Sequence, residues 1–137
     1  MTARRWIVAL LAAIAALAVG GVLTGVGTAR STKPKVVRVC DDYYAPKACD
    51  GSEVGKVRIR KRGKVKWDWT PVFNVHNVTL KSAPRGVRKS RFRSQTTANP
   101  DYHFTKRFRK PGTYKFICTI HPSQMQMKVV VRRPHRS

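Results

Sequence analysis

Between Tyr114 and Met127 the sequence reads Y-K-F-I-C-T-I-H-P-S-Q-M-Q-M, which brings a thiol (Cys118), an imidazole (His121) and a thioether (Met125) within eight residues. Soft sulfur donors with imidazole suit copper. Two imidazoles and one thiolate in a plane, with a weak axial thioether, form an arrangement that copper adopts for one-electron exchange. That arrangement needs a second imidazole, and the candidate is His76 in Phe73-Asn74-Val75-His76-Asn77-Val78-Thr79, far upstream. Met127 competes with Met125 for the axial position; Met125 is preferred because it leaves Lys128 to Val131 in register as a final strand.

The run Phe108-Arg-Lys-Pro-Gly-Thr-Tyr-Lys-Phe-Ile-Cys-Thr-Ile-His-Pro122 fits the pattern F-x-x-P-G-x-Y-x-[FY]-x-C-x-x-H-P. It resembles the signature of the cupredoxins, in particular the small single-domain plastocyanin, pseudoazurin and amicyanin group. The resemblance extends more faintly from about Val36 to Val131. It implies a Greek-key β-sandwich and one copper ion cycling between Cu(I) and Cu(II), with His76, Cys118, His121 and Met125 as ligands. It further implies that Asn77 ties the first histidine's loop to the backbone beside the cysteine, at Thr119. Pro122 and the apolar neighbours of His121 would form the patch that meets a partner. Two features depart from the family pattern. The Cys-x-x-His-x-x-x-Met spacing falls between the shorter amicyanin-like and longer plastocyanin-like loops, and Trp69-Thr-Pro-Val-Phe73 replaces a longer polar connection before His76, which bears on how deeply that histidine is buried.

Residues so far apart in sequence can meet only if a sheet brings them together. Short alternating runs separated by turn residues predict an all-β sandwich or barrel. Lys35–Val39 is a first strand. Lys56–Arg60 alternates strictly, turns through Arg62-Gly63 and continues as Lys64–Trp69, with one apolar and one solvated face. A strand at His76–Leu80, a basic loop at Lys81–Arg91, a strand at Tyr102–Phe108 and the hairpin Lys110-Pro-Gly-Thr113 follow. Thr113–Cys118 and Met125–Arg132 complete the set. One hairpin loop would then carry three ligands and the sandwich would supply the fourth.

The chain of 137 residues is expected to form one domain. Residues 1–29 read as a signal peptide or an N-terminal membrane anchor: Trp6 to Ala29 is almost wholly apolar, follows Arg4-Arg5 and ends at Gly27-Thr28-Ala29, a small-residue cleavage site. Its length would also span a bilayer; the Gly20-Gly21 break favours cleavage. An exported protein, periplasmic, in the cell envelope or secreted, follows. The domain is then residues 30–137, with a core at about 36–131. Cys40 and Cys49 bracket a short polar excursion and are available for a disulfide, which persists after export; two free thiols or a separate metal pair are the alternatives. Cys118 is the odd thiol, and a metal gives it a purpose. Zinc would also accept two imidazoles and a thiolate, but copper binds more tightly in the Irving–Williams order. His103 and His135 lack neighbours of ligand type and read as surface residues, and the tail from Arg133 reads as frayed.

Charge is the feature the resemblance leaves unexplained. Setting aside Arg4 and Arg5 from the 29 Lys and Arg leaves 27 against six acids, a formal +21. Lys56, Arg58, Arg60, Lys61, Arg62, Lys64 and Lys66 form one cluster; Arg85, Arg88, Lys89, Arg91 and Arg93 form another. Such a field attracts an anionic partner at a rate that falls with salt. That partner would be a redox protein acidic at its docking surface, or an anionic membrane or envelope surface. Nucleic acid would bind only nonspecifically, and export argues against it as the role. The sequence therefore points to a monomeric single-electron carrier. A copper-delivery protein and a basic surface-interaction module are the alternatives. An enzyme is disfavoured: there is no His-x-His pair for an oxygen-reducing cluster, no nucleophile triad, no phosphate loop and no paired carboxylates.

Overall fold

The computed structural model describes residues 33–133. The apolar segment and the tail from Pro134, with His135, lie outside them. Eight strands and one short 3-10 turn are built from the alternating runs: β1 (Lys35–Val39), β2 (Tyr44–Ala45), β3 (Lys56–Arg60), β4 (Lys64–Trp69), β5 (Thr79–Ser82), β6 (His103–Arg107), β7 (Gly112–Ile117) and β8 (Gln126–Arg132), with the 3-10 turn at Lys89–Phe92. They form two four-stranded sheets, ordered β2-β1-β4-β6 and β3-β8-β7-β5. The architecture is the all-β Greek-key sandwich that the sequence predicts. β1 runs parallel to β4 and β3 parallel to β8, while the remaining pairs are antiparallel.

Period-2 patterning explains the burial. In β4, Val65, Trp67 and Trp69 point inward while Lys64, Lys66 and Asp68 stay partly solvated; in β8, Met127, Val129 and Val131 point inward. Apolar faces of the two sheets meet around Trp67, whose ring lies 4.9 Å from Phe116 and 5.7 Å from Phe104 between centroids. Phe108 meets Tyr114 edge to face at 4.8 Å. Tilted aromatic pairs of this kind add about 0.5–1.5 kcal/mol each beyond their area burial. Trp67 Nε1 donates to Met127 Sδ at 3.2 Å, which satisfies the only polar atom of a side chain fully shielded from water.

The turn after β3 carries the chain from one sheet to the other, so β3 and β4 are neighbours in sequence and not in a sheet. β6 and β7 are separated in the same way, so Lys110-Pro-Gly-Thr113 crosses between sheets and is not the predicted hairpin. Two predicted bounds differ. His76 lies outside β5 in an isolated bridge with Thr97, because backbone pairing with β7 starts only at Thr79. The basic stretch is also less loop-like than its composition suggests, since β5 extends to Ser82 and the 3-10 turn begins at Lys89. Cys40 and Cys49 form a disulfide that closes the β1–β2 excursion, with Cα atoms 5.7 Å apart. Residues 31–137 form a compact unit by themselves, and all the core residues named above fall within it.

Candidate metal centre

Register decides what meets at one end of the sandwich. β7 ends at Ile117, so Cys118 is the first residue past it, and β8 starts at Gln126. The intervening loop is closed by two backbone hydrogen bonds: Cys118 N–H donates to the Met125 carbonyl at 3.0 Å, and Met125 N–H donates to the His121 carbonyl at 2.9 Å. His76 reaches the same end from the other side. Its backbone exchanges two 3.0 Å hydrogen bonds with Thr97, and its side chain is fully buried despite the short Trp69–Phe73 connection.

Cys118 Sγ lies 4.0 Å from Nδ1 of His76 and 4.0 Å from Nδ1 of His121. The donor atoms of all three residues fall within 4.8 Å of one another. Donors held about 2.0–2.3 Å from a shared ion at trigonal angles stand about 3.7 Å apart, so a metal fits with little movement. His76 and Cys118 are buried and His121 is partly exposed. Met125 is fully buried beside them in sequence, whereas the Met127 sulfur is already engaged by Trp67.

Electrostatics prepare the thiolate. Burial alone would raise the Cys118 pKa, but the His76 imidazole and the backbone N–H groups of Asn77, His121 and Ile120 outweigh it and bring the value down to about 6. Asn77 ties the two halves of the site together. Its Nδ2 donates to Thr119 Oγ1 at 2.7 Å and to Thr96 Oγ1 at 3.0 Å, and its Oδ1 accepts from Thr119 N–H at 3.0 Å. Its own backbone N–H points at Cys118 Sγ, 3.4 Å away, and its carbonyl accepts from the buried Tyr44 hydroxyl at 2.9 Å.

Sequence reasoning missed Asp41. Its Oδ1 accepts from Phe73 N–H at 2.9 Å and Asn74 N–H at 3.0 Å, and stands 3.5 Å from Nε2 of His76, the ring nitrogen facing away from Cys118. Burial pushes this carboxyl upward, but the Asn74 and Phe73 amides and the imidazole prevail and hold it below the usual aspartate value. The departure noted before His76 is thus a short connection pinned by a carboxylate. The only signal in the sequence is an acid directly after a disulfide cysteine in a chain with few acids.

Pro122 is exposed beside His121, with Ile120 half exposed on its other flank. Phe73, on the loop before His76, is 98% exposed. The basic residues fall elsewhere. Lys56, Arg58 and Arg60 line the solvated face of β3, Lys61 and Arg62 sit on its turn, and Lys64 and Lys66 belong to the other sheet, where Lys66 pairs with Asp68 at 3.1 Å. Arg85, Arg88, Lys89, Arg91 and Arg93 lie on the β5–β6 connection. His103 is an exposed residue of β6.

Residues 53–132 match the family model of copper-binding proteins of the plastocyanin/azurin family. The chain belongs to that family. Within it, the chain is 42% identical over 76 residues to amicyanin-alpha of Methylorubrum extorquens, an alignment covering 56% of this chain and 60% of that protein. The fold also resembles the crystal structure of amicyanin from Paracoccus versutus, with a TM-score of 0.56 and 27% identity over 72% of this chain and 81% of that one. The copper-containing nitrite reductase of Thermus scotoductus shares the fold at a TM-score of 0.59 and 21% identity, over 75% of this chain and 23% of that enzyme. Plastocyanin/azurin proteins bind one copper ion that alternates between Cu(I) and Cu(II), and the His-Cys-His cluster is a donor set suited to it.

Proposed function

We propose that this chain is an exported type 1 copper protein that passes single electrons between redox partners, with His76, Cys118, His121 and Met125 as its ligands. The observation that carries the reading is the convergence of two imidazole nitrogens on one buried, low-pKa thiol at the end of a rigid sandwich. Met125 is preferred over Met127 as the axial donor because the Met127 sulfur accepts the Trp67 N–H in the core.

Copper supplies the one-electron couple. This chain's part is to hold donors still. Asn77 and Thr119 lock the Cys118 backbone to the His76 loop, and the hairpin bonds of Met125 fix the loop ends. Orientation of ligands by such partners keeps a site from rearranging between oxidation states. The partly exposed His121, flanked by Ile120 and Pro122, is the route by which an electron leaves or arrives. The protein acts as a monomer and catalyses no reaction of its own.

The test is visible absorption and electron paramagnetic resonance of residues 30–137 with one equivalent of Cu(II). An intense thiolate-to-copper band with narrow hyperfine splitting, lost in Cys118→Ser, is expected. An ordinary tetragonal copper spectrum in the wild type would overturn the assignment.

A further inference from the structure

The acids of the molecule are confined to one end while its cations occur throughout, so the net positive charge is greatest at the other end. All six acids lie at or toward the end that carries Cys118: Asp41 and Asp42 follow β1, Asp50 and Glu53 lie between β2 and β3, Asp68 is the penultimate residue of β4, and Asp101 precedes β6. The opposite end, about 20 Å away along the six residues of β7, gathers cations from separate segments. Arg60, Lys61 and Arg62 form the turn after β3, where Lys61 N–H donates to the Arg132 carbonyl at 2.9 Å and Arg62 N–H to the Phe108 carbonyl at 2.7 Å. Lys110 Nζ reaches the Arg85 carbonyl at 3.1 Å, joining the β6–β7 connection to the β5–β6 connection. Between these two segments runs a shallow cleft walled by Arg88, Arg91, Lys106, Arg107, Arg109 and Lys110, with Phe92 and Tyr114 also lining it. No ion pair among the described residues involves any of these cations.

We propose that this basic end seats the domain on an anionic lipid bilayer, leaving the copper end turned away from it. A planar array of headgroup phosphates rewards charge density without requiring shape, and each Lys or Arg brought to such a surface adds to the attraction. The spread of the cations favours lipid over a soluble polyanion: they come from the β3–β4 turn, the β5–β6 connection, the end of β6 and the β6–β7 connection, and so cover one whole end of the sandwich rather than a single groove. β1 pairs Lys35 with Val65 at the start of β4, which adds Lys33 and Lys35 to the same end. The proposal is independent of the metal assignment.

The experiment is co-sedimentation of residues 30–137, which close their own core, with phosphatidylcholine vesicles with and without phosphatidylglycerol. Three proteins are compared: wild type, a distal variant and a proximal variant with the same charge. The distal variant replaces Arg60, Lys61, Arg62, Arg88, Arg91 and Arg109 by Gln; the proximal one replaces Lys47, Lys56, Lys81, Arg93, Lys115 and Lys128. Wild type should prefer anionic vesicles by about a hundredfold or more, and the preference should vanish at high salt. The distal variant should lose most of that preference and the proximal variant little. Equal losses in the two variants would show that net charge alone binds and would overturn the proposal. Capture by dextran sulfate without capture by anionic vesicles would overturn the lipid assignment in favour of a polymer. Circular dichroism of each variant separates lost binding from lost folding.

Discussion

Asp41, 3.5 Å from the far nitrogen of His76, should make the reduction potential of the proposed site depend on a residue that is not one of its ligands. A carboxylate facing the far nitrogen of a ligating imidazole fixes the ring and favours the more highly charged metal state. Asp41→Asn keeps an oxygen to accept from Phe73 and Asn74 but removes the charge, so Cu(II) should lose more stabilisation than Cu(I) and the potential should rise. Voltammetry against Asp42→Asn, a neighbouring exposed acid, gives the test; equal shifts in the two variants would mean that the 3.5 Å contact contributes nothing specific. Cys118 brings a pH dependence to the metal-free protein. Its folded pKa of about 6 lies below the unfolded thiol value of about 8.5. The stabilisation it contributes is fully present above the unfolded value and is lost as pH falls through 6. Denaturant melts of metal-free wild type and Cys118→Ser should therefore converge as pH is lowered from 9 to 5 if the ionised thiol is the cause; a gap that does not change with pH would exclude it. Cys118, His121 and Met125 were legible because local spacing sets them on one loop. Asp41 was not, since its contact with His76 crosses from one strand end to a distant loop and no local pattern encodes that meeting.

At the level of elements, the alternation of apolar and charged residues gave the longer strands nearly to the residue. It could not give the partners of β3 and β4. The same period of two fits a hairpin within one sheet and a turn between sheets, and the choice is made by where Ile59, Val65 and Trp67 find apolar cover. β2 escaped notice because two residues carry no periodicity. Gly112 shows what the tight packing at the start of β7 requires: it has φ +130°, and a Cβ there would sit 2.5 Å from Pro84 Cγ. Gly112→Ala should cost on the order of 1–3 kcal/mol in stability, read by thermal or denaturant melting; a neutral result would mean that the Pro84 loop moves aside freely. Removing the Cys40–Cys49 bond by the double substitution Cys40→Ser and Cys49→Ser should cost about 2–3 kcal/mol while leaving the absorption of the Cu(II) form in place. Loss of the band in that variant would show that the bond also positions the Asp41–His76 contact.

For the whole molecule, the concentration of cations without acidic neighbours at one end predicts two salt responses in one protein. Lipid binding at the basic end should fall steeply with ionic strength, while electron exchange through the apolar surroundings of His121 should change much less, because charges farther off than about 8–10 Å are screened at ordinary salt. Stopped-flow reduction by a small anionic donor, set beside vesicle binding over the same salt series, checks both. Parallel decline of the two would mean that one surface serves both purposes. The register of the outer strands has a further consequence for how this sandwich can be combined with other proteins. β1 begins and β8 finishes at the same end, away from Cys118. A polypeptide joined directly before β1 or after β8 would therefore leave from the end opposite Cys118, so a domain attached there would not cover the face that carries His121.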